Sequence, residues 1–238
     1  TIKSKTLRLD YFSYLKAFFN LMKPRVMSLV IFTCAVGLLI APEKINFVDA
    51  IFSLMAVALG SGAAGALNMW YESDLDSLMT RTCLRPIPTG KLSKNQALVF
   101  GIISSIVSVI VLYIFSNLIA TTTLAITILF YVFVYTIWLK RKTAQNIVIG
   151  GAAGALPPVI GWTIATNAIS LEPIVLFLII FVWTPSHFWA LSLYKTEDYR
   201  KARIPMLPIT SGIKTTKFNI FIYSLILFPI VLLPYFFN

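Results

Sequence analysis

This chain of 238 residues is too apolar for a soluble domain, because 58% of it is hydrophobic and only 12% is charged, against about 25% charged residues in soluble proteins. Its net charge of +11 does not indicate nucleic-acid binding, since all of its 20 lysines and arginines except Lys44 lie in the N-terminal segment, counted through Arg25, or in alternate connections between apolar segments. The apolar runs are long and uninterrupted, which excludes a membrane β-barrel and predicts an all-α polytopic membrane protein.

Seven apolar segments predict seven transmembrane helices. In chain order they cover 18–41, 47–70, 95–115, 118–139, 146–166, 173–194 and 218–237. Lys23, Pro24 and Arg25 interrupt the first segment, so we expect its helix to begin before them and to bend at Pro24. The basic residues lie in the N-terminal segment and after the second, fourth and sixth spans. This predicts that these parts face the cytoplasm or matrix, at a bacterial cytoplasmic membrane or an organelle inner membrane.

The end of the second span carries the first acidic motif. Asn68, Glu72 and Asp76 are four residues apart, so on a helix they would share one face within an arc of about 80°. Their oxygen atoms are hard ligands suited to Mg²⁺, and we predict that they bind the metal and act in catalysis. Asp74, a further candidate metal ligand, joins them only if the helix unwinds or a second metal binds. The alternative is a solvated loop whose acids and bases pair with one another.

Basic residues on the same side of the membrane could bind a diphosphate, because guanidinium and ammonium groups complement its oxygens. Arg81 and Arg85 follow the acidic motif, four positions apart. The full set of candidates is Lys23, Arg25, Arg81, Arg85, Lys140, Arg141 and Lys195. For Lys140 and Arg141, a topology signal is an equally good explanation.

A second and shorter polar motif follows the sixth span. Asp198 lies beside Glu197 and four residues after Tyr194. We predict that Asp198 is a metal ligand and a catalytic residue, because two acidic motifs on one leaflet could hold two metals about 4 Å apart, bridged by a diphosphate. The alternative is an ordinary juxtamembrane loop.

The only histidine, His187, lies about two turns inside the sixth span. Ionisable residues within a span often serve a function. A neutral imidazole there could contact a metal or a haem, or accept a proton, and we predict a catalytic role. The alternative is a packed core residue.

Residues 68–76 resemble the first acidic motif of the intramembrane prenyltransferases, Asn-x-x-x-Asp-x-x-x-Asp, with Glu72 in the place of the middle aspartate. Four further segments are similar to those of one branch of that family, the protoheme IX farnesyltransferases (haem O synthases): 21–26, 79–86, 184–190 and 204–208. The resemblance implies nine transmembrane helices around a central cavity, Mg²⁺ as cofactor, farnesyl diphosphate as donor and haem b as acceptor. The second motif departs from the Asp-x-x-x-Asp of other prenyltransferases, because Tyr194 stands where the first aspartate would be.

The resemblance predicts a single transmembrane prenyltransferase domain over residues 1–238, with seven spans present and the last two absent. The expected reaction transfers the farnesyl group to a vinyl group of haem b, which gives haem O and releases diphosphate. The expected partners are these two substrates and the lipid bilayer, and an association with haem-modifying or terminal-oxidase machinery is a further hypothesis. Three alternatives remain: prenylation of an aromatic quinone precursor, membrane transport, and non-catalytic oxidase assembly.

Overall fold

A computed structural model describes residues 11–237. The first ten residues, which include Lys3, Lys5 and Arg8 of the predicted cytoplasmic N-terminus, lie outside the described residues. Every regular element in the described range is a helix and no strand occurs in it, which confirms the all-α prediction.

Twelve α-helices follow one another within residues 11–237. They are α1 (Tyr11–Leu21), α2 (Pro24–Ile40), α3 (Phe47–Tyr71), α4 (Ser73–Leu78), α5 (Lys94–Phe115), α6 (Leu118–Leu129), α7 (Asn146–Ala155), α8 (Pro157–Thr166), α9 (Leu171–Tyr194), α10 (Thr196–Lys201), α11 (Leu207–Thr210) and α12 (Gly212–Leu232). Helix α6 continues directly into a π-helix (Phe130–Leu139), and α12 ends in a 3₁₀ turn (Leu233–Phe237).

In the described part of the chain, six helical stretches are long and apolar enough to cross a membrane, and the bent pair α1–α2 makes a seventh if it is taken as one span. The six are Phe47–Tyr71, Lys94–Phe115, Leu118–Leu139, Asn146–Thr166, Leu171–Tyr194 and Gly212–Phe236. Five of them begin and end within two residues of the predicted spans, because each span is defined by a continuous apolar run, and the last begins six residues earlier than predicted. The chain is an integral membrane protein of the helical kind.

The first span bends by 51° between α1 and α2. The bend centres on Lys23, one residue before the predicted position, where the backbone adopts the left-handed conformation with φ 54° and ψ 64°. A proline disfavours the helical conformation for the residue before it, and its own fixed φ suits the first position of a new helix. Pro24 therefore ends α1 and begins α2, and the Lys23 side chain reaches α3.

Helices α2 and α8 approach each other closely at two glycines. A Cβ atom at Gly37 would overlap the Pro158 carbonyl oxygen, and one at Gly161 would overlap the Cys34 carbonyl oxygen. Small residues allow such contact between backbones, which is a main source of helix association inside a membrane. This seam fixes α2, and with it the bend at Lys23, against the rest of the bundle.

Helix α3 is the central element of the bundle. It packs along α5, and its second half is buried almost continuously from Gly62 to Met69. Its last turns also contact the π-helix at the end of α6. The ends of these two helices and the bend at Lys23 therefore meet on the same side of the bundle.

Candidate functional site

The predicted face of the first acidic motif is formed, and it is buried. Asn68 and Glu72 are each 1% exposed, and Asp76 is fully buried. Helix α3 ends at Tyr71 and α4 begins at Ser73, but the backbone N–H of Glu72 still bonds the Asn68 carbonyl at 2.9 Å. The N–H of Asp76 likewise bonds the Glu72 carbonyl at 2.8 Å, so the i, i+4 register continues through the junction.

Each residue of this face contacts a basic residue from another part of the chain. The Lys23 ammonium donates to Asn68 Oδ1, and the Lys140 ammonium donates to Glu72 Oε2. The Arg85 guanidinium donates to both Asp76 oxygens at 2.7 Å. Three predicted diphosphate-binding residues are thus paired with three of the five predicted metal ligands, which compensates the burial of the charges.

Asp74 turns away from this face, as its spacing predicts, and the helix does not unwind to bring it back. Its side chain is 53% exposed, and its two oxygens accept hydrogen bonds from Arg141 at 2.9 and 2.8 Å. These bonds hold the pKa of Asp74 below its usual range and raise the pKa of Arg141. Arg141 also lies over the Tyr71 ring, 4.9 Å from its centroid. Asp74 and Arg141 therefore form a separate, outer pair.

The first motif fits a magnesium ion by its donor chemistry. Glu72 Oε1 is buried and has no hydrogen-bond partner in the described chain, so one carboxylate oxygen remains available. The amide of Asn68 and the carboxylates of Glu72 and Asp76 offer hard oxygen donors. Within residues 11–237, however, no three acidic, histidine or cysteine side chains are gathered closely enough to hold a metal. Full coordination would require the basic partners to move.

The second polar motif has a different environment from the first. The Asp198 carboxylate accepts hydrogen bonds from the Thr80 hydroxyl at 2.9 and 2.8 Å, and from the Thr80 backbone N–H at 3.5 Å. These bonds lower the pKa of Asp198. Glu197 pairs with Arg200 at the surface, and Tyr194 is 87% exposed. Asp198 thus joins α10 to the loop that carries Arg81 and Arg85, instead of meeting the Asn68 face.

The remaining predicted residues lie outside the buried cluster. Arg25, Arg81 and Lys195 are exposed, and none of them forms a salt bridge within the described part of the chain. His187 is exposed on α9, where its ring stacks on Trp183 with centroids 4.4 Å apart. His187 is therefore not a buried core residue.

An apolar cavity of about 120 Å³ begins at the polar cluster. Lys23, whose ammonium contacts Asn68, is also one of its lining residues. From there the cavity extends between α2, α3, α6 and the α7–α8 junction, along Val57, Gly60, Leu124 and Tyr131. The site thus joins a charged end to an apolar compartment.

Thr136, on the π-helix, is a member of the site that the sequence analysis missed. It is fully buried, and its hydroxyl oxygen accepts a hydrogen bond from Asn68 Nδ2 at 3.1 Å. One signal was available in the sequence, because Thr136 precedes Lys140 by four residues, as Asn68 precedes Glu72.

A profile of the UbiA prenyltransferase family matches residues 30–238. The chain is 72% identical to a protoheme IX farnesyltransferase of Pelagibacter ubique (strain HTCC1062) over 217 residues, which are 91% of this chain and 72% of that protein. It is 56% identical to a protoheme IX farnesyltransferase of Ehrlichia ruminantium (strain Welgevonden), over 98% of this chain and 79% of that protein.

Solved structures with low sequence identity share the fold. A UbiA homologue from Archaeoglobus fulgidus bound to GPP and Mg²⁺ superposes with a TM-score of 0.76 at 18% identity, over 90% of this chain and 76% of that chain. A digeranylgeranylglyceryl phosphate synthase superposes with a TM-score of 0.77 at 20% identity, over 94% and 78% of the two chains.

Proposed function

The chain belongs to the UbiA prenyltransferase family, and on this premise we propose that it transfers a farnesyl group from farnesyl diphosphate to a vinyl group of haem b. The products are haem O and diphosphate. The choice of donor and acceptor is supported by the names of the relatives, which are 72% and 56% identical over most of this chain. The enzyme class, an intramembrane prenyltransferase, follows from the family itself.

The observation that carries the proposal is the position of Lys23, which belongs to both the charged cluster and the apolar cavity. A prenyl diphosphate has the same two parts, an anionic head and an apolar tail. With its head at the cluster, such a donor would extend its tail along the cavity walls, where burial of apolar surface favours binding. The aromatic ring of Tyr131 in this wall could stabilise an allylic cation.

The charge of the cluster also supports an anionic head group. Lys23, Arg85 and Lys140 contact Asn68, Asp76 and Glu72 in turn, so the three cations of the buried cluster exceed its two carboxylates by one. A diphosphate would give the basic side chains a new partner, and the carboxylates would then become available to a cation. A magnesium ion bound by Asn68, Glu72 and Asp76 would supply positive charge that neutralises the departing diphosphate.

In the proposed reaction, the allylic C–O bond of the donor breaks and its electron pair leaves with the diphosphate. The π electrons of the haem vinyl group form the new carbon–carbon bond to the farnesyl carbon. Water then adds to the resulting cation and loses a proton, which gives a hydroxyethylfarnesyl side chain. Arg85 and Lys140 would bind the leaving group. His187, exposed on α9, is our candidate for the base that accepts the proton.

The proposal extends to the orientation of the protein in the membrane. The charged cluster would face the cytoplasm or matrix, since the basic connections lie on that side by the positive-inside rule. Association with oxidase or haem-modifying machinery stays a prediction.

The deciding experiment incubates the purified protein in detergent with Mg²⁺, labelled farnesyl diphosphate and either haem b or 4-hydroxybenzoate. We expect label in haem O alone. Label in 4-hydroxybenzoate would instead indicate a quinone-precursor prenyltransferase. No product with either acceptor, from protein that still binds the donor, would contradict the proposed enzyme and favour a transport or assembly role.

A further inference from the structure

The side-chain amide of Asn68 has its orientation determined by its two neighbours. A lysine ammonium can only donate hydrogen bonds, so the Asn68 atom that contacts Lys23 must be the carbonyl oxygen. The amide NH₂ then points the other way, where Nδ2 donates to Thr136 Oγ1 at 3.1 Å. Asn68 is 1% exposed and Thr136 is fully buried, so bulk water does not compete for this bond.

The Asn68 contacts with Lys23 and with Thr136 would not both persist through the proposed reaction. If Lys23 turns to the diphosphate, Asn68 Oδ1 loses its partner and becomes available to a metal. Among the described residues, Thr136 is then the only side chain that still bonds the Asn68 amide. A flipped amide would present its NH₂ group to the cation and could not bind it. The bond to Thr136 therefore matters most when the substrates are bound.

Thr136 differs from the other threonines of the same span. The hydroxyls of the other four, Thr121, Thr122, Thr123 and Thr127, each donate to the carbonyl four residues earlier, at 2.6–2.9 Å. Within the described chain, Thr136 makes no such bond, and its oxygen accepts from α3 instead. The usual role of a buried threonine, a bond to its own backbone, does not explain it.

The π-helix and α3 present matching pairs of residues to each other. Asn68 contacts Thr136, and Glu72, one turn later, contacts Lys140. Glu72 follows Asn68, and Lys140 follows Thr136, by four positions each, with Glu72 and Lys140 directly after the ends of the two helices. Each contact spans 68 positions in the chain. The π-helix ends with the Lys140 N–H bonded to the Tyr135 carbonyl at 3.0 Å. Such wide turns occur often at functional sites.

We infer that Thr136 is a positioning residue that holds the Asn68 amide with its carbonyl oxygen free to bind the divalent cation. The inference rests on the proposed function, because it assigns Thr136 a role in the metal site of that reaction. Thr136 itself need not touch the metal or either substrate. Its influence on the cation passes through Asn68.

The test measures Mn²⁺ binding by electron paramagnetic resonance, on the full chain in detergent with farnesyl thiodiphosphate as a slowly reacting donor. We expect Thr136→Val to weaken Mn²⁺ binding about tenfold, the usual effect of removing a group that orients a metal ligand. Thr136→Ser keeps the hydroxyl and should stay within about threefold of the wild type. The control variant Thr121→Val changes a buried threonine on the same span, and it should bind Mn²⁺ like the wild type.

A double substitution separates positioning from general packing. In an Asn68→Ala background, Thr136→Val should cause no further loss of Mn²⁺ affinity. If Thr136→Val lowers the Mn²⁺ affinity of the Asn68→Ala variant by the same factor as it lowers that of the wild type, the inference is overturned. Wild-type Mn²⁺ affinity in Thr136→Val alone would also overturn it. If Thr136→Val does not elute from gel filtration like the wild type, Thr136→Ala replaces it with the same expectation.

The outcome for the wild-type chain separates this inference from the proposed function. If the wild type binds Mn²⁺ with the donor and Thr136→Val does so equally well, only the role of Thr136 is overturned. If the wild type binds no Mn²⁺ under these conditions, the proposed metal site and the role of Thr136 are both overturned.

Discussion

In the first acidic motif, the side chains of Glu72 and Asp76 are 2% and 1% exposed, whereas Glu197 in the second motif is 73% exposed. The buried carboxylates pair with Lys140 and Arg85 from other parts of the chain, while Glu197 pairs with Arg200, three residues away on its own helix. Both motifs cluster acidic residues in the sequence, but only the first has carboxylates, those of Glu72 and Asp76, buried in the protein interior.

The difference shows what burial adds to a charged pair. An exposed pair is weak, because water and salt screen it. In a buried pair, the loss of one partner leaves an uncompensated charge in the interior, which is strongly destabilising. The first motif should therefore be sensitive in both activity and stability, and the exposed Glu197–Arg200 pair of the second should tolerate change.

The largest effect is expected for Asp76→Asn. This change keeps the size of the side chain but removes the charge that pairs with Arg85 and that a metal would need. We expect product formation at saturating Mg²⁺ to fall about 100-fold or more, equivalent to at least ~2.7 kcal/mol. The matched control is Glu197→Gln in the second motif, which should stay within about twofold of the wild type. Asp76→Asn activity above about a tenth of the wild type would remove Asp76 from the proposed metal site.

Next in size is the effect of Lys140→Met on stability. Glu72 would remain buried without its cationic partner, which typically costs about 3–5 kcal/mol. We expect a clear fall in Tm by differential scanning fluorimetry, whereas Arg200→Met, which removes the cation of the surface pair, should leave Tm nearly unchanged. Equal shifts in the two variants would show that burial does not distinguish the motifs.

A moderate effect is expected for Arg85→Ala on donor binding. Arg85 is the cation that contacts both oxygens of Asp76, and its proposed second partner is the diphosphate. Isothermal titration should show farnesyl diphosphate affinity reduced about 10–30-fold, equivalent to about 1.4–2 kcal/mol, with haem b affinity nearly unchanged. Equal losses for both ligands would indicate a folding defect, and Lys201→Ala, a change at an exposed residue of α10, provides the control.

The smallest effect is expected for Thr80→Val, which removes the hydroxyl bonds to Asp198. Because the pKa of Asp198 is lowered in the folded state, this bond contributes above the unfolded value of about 3.9 and is lost as the pH falls through the lowered pKa. We expect a small and equal decrease in Tm at pH 6 and pH 8, and no difference from the wild type once the pH is below the lowered pKa. A decrease that changes between pH 6 and pH 8 would contradict this account.

The spans could be predicted from the sequence, because an apolar run long enough to cross a bilayer is a local property. The bend near Pro24 and the shared face of Asn68, Glu72 and Asp76 were also local, since they follow from proline geometry and helix periodicity. These predictions agree with the structure to within one residue at the bend.

The partners of those residues could not be predicted. Lys140 meets Glu72 across 68 positions, and Asp198 meets Thr80 across 118, so both contacts depend on how helices pack rather than on spacing along one helix. Thr136 was missed for the same reason. Its role depends on the π-helix, which places it opposite Asn68.

The seam between Gly37 and Gly161 has a consequence for the order in which the protein assembles. The two glycines are 124 positions apart, so at a synthesis rate of about 5–20 residues per second, α8 emerges roughly 6–25 s after the part of α2 that it will contact. During that interval the first span resides in the bilayer without the partner that fixes it. Nascent chains arrested before residue 157 should therefore leave α2 free to rotate and accessible to crosslinking, and the span should become protected only after α8 has entered the membrane.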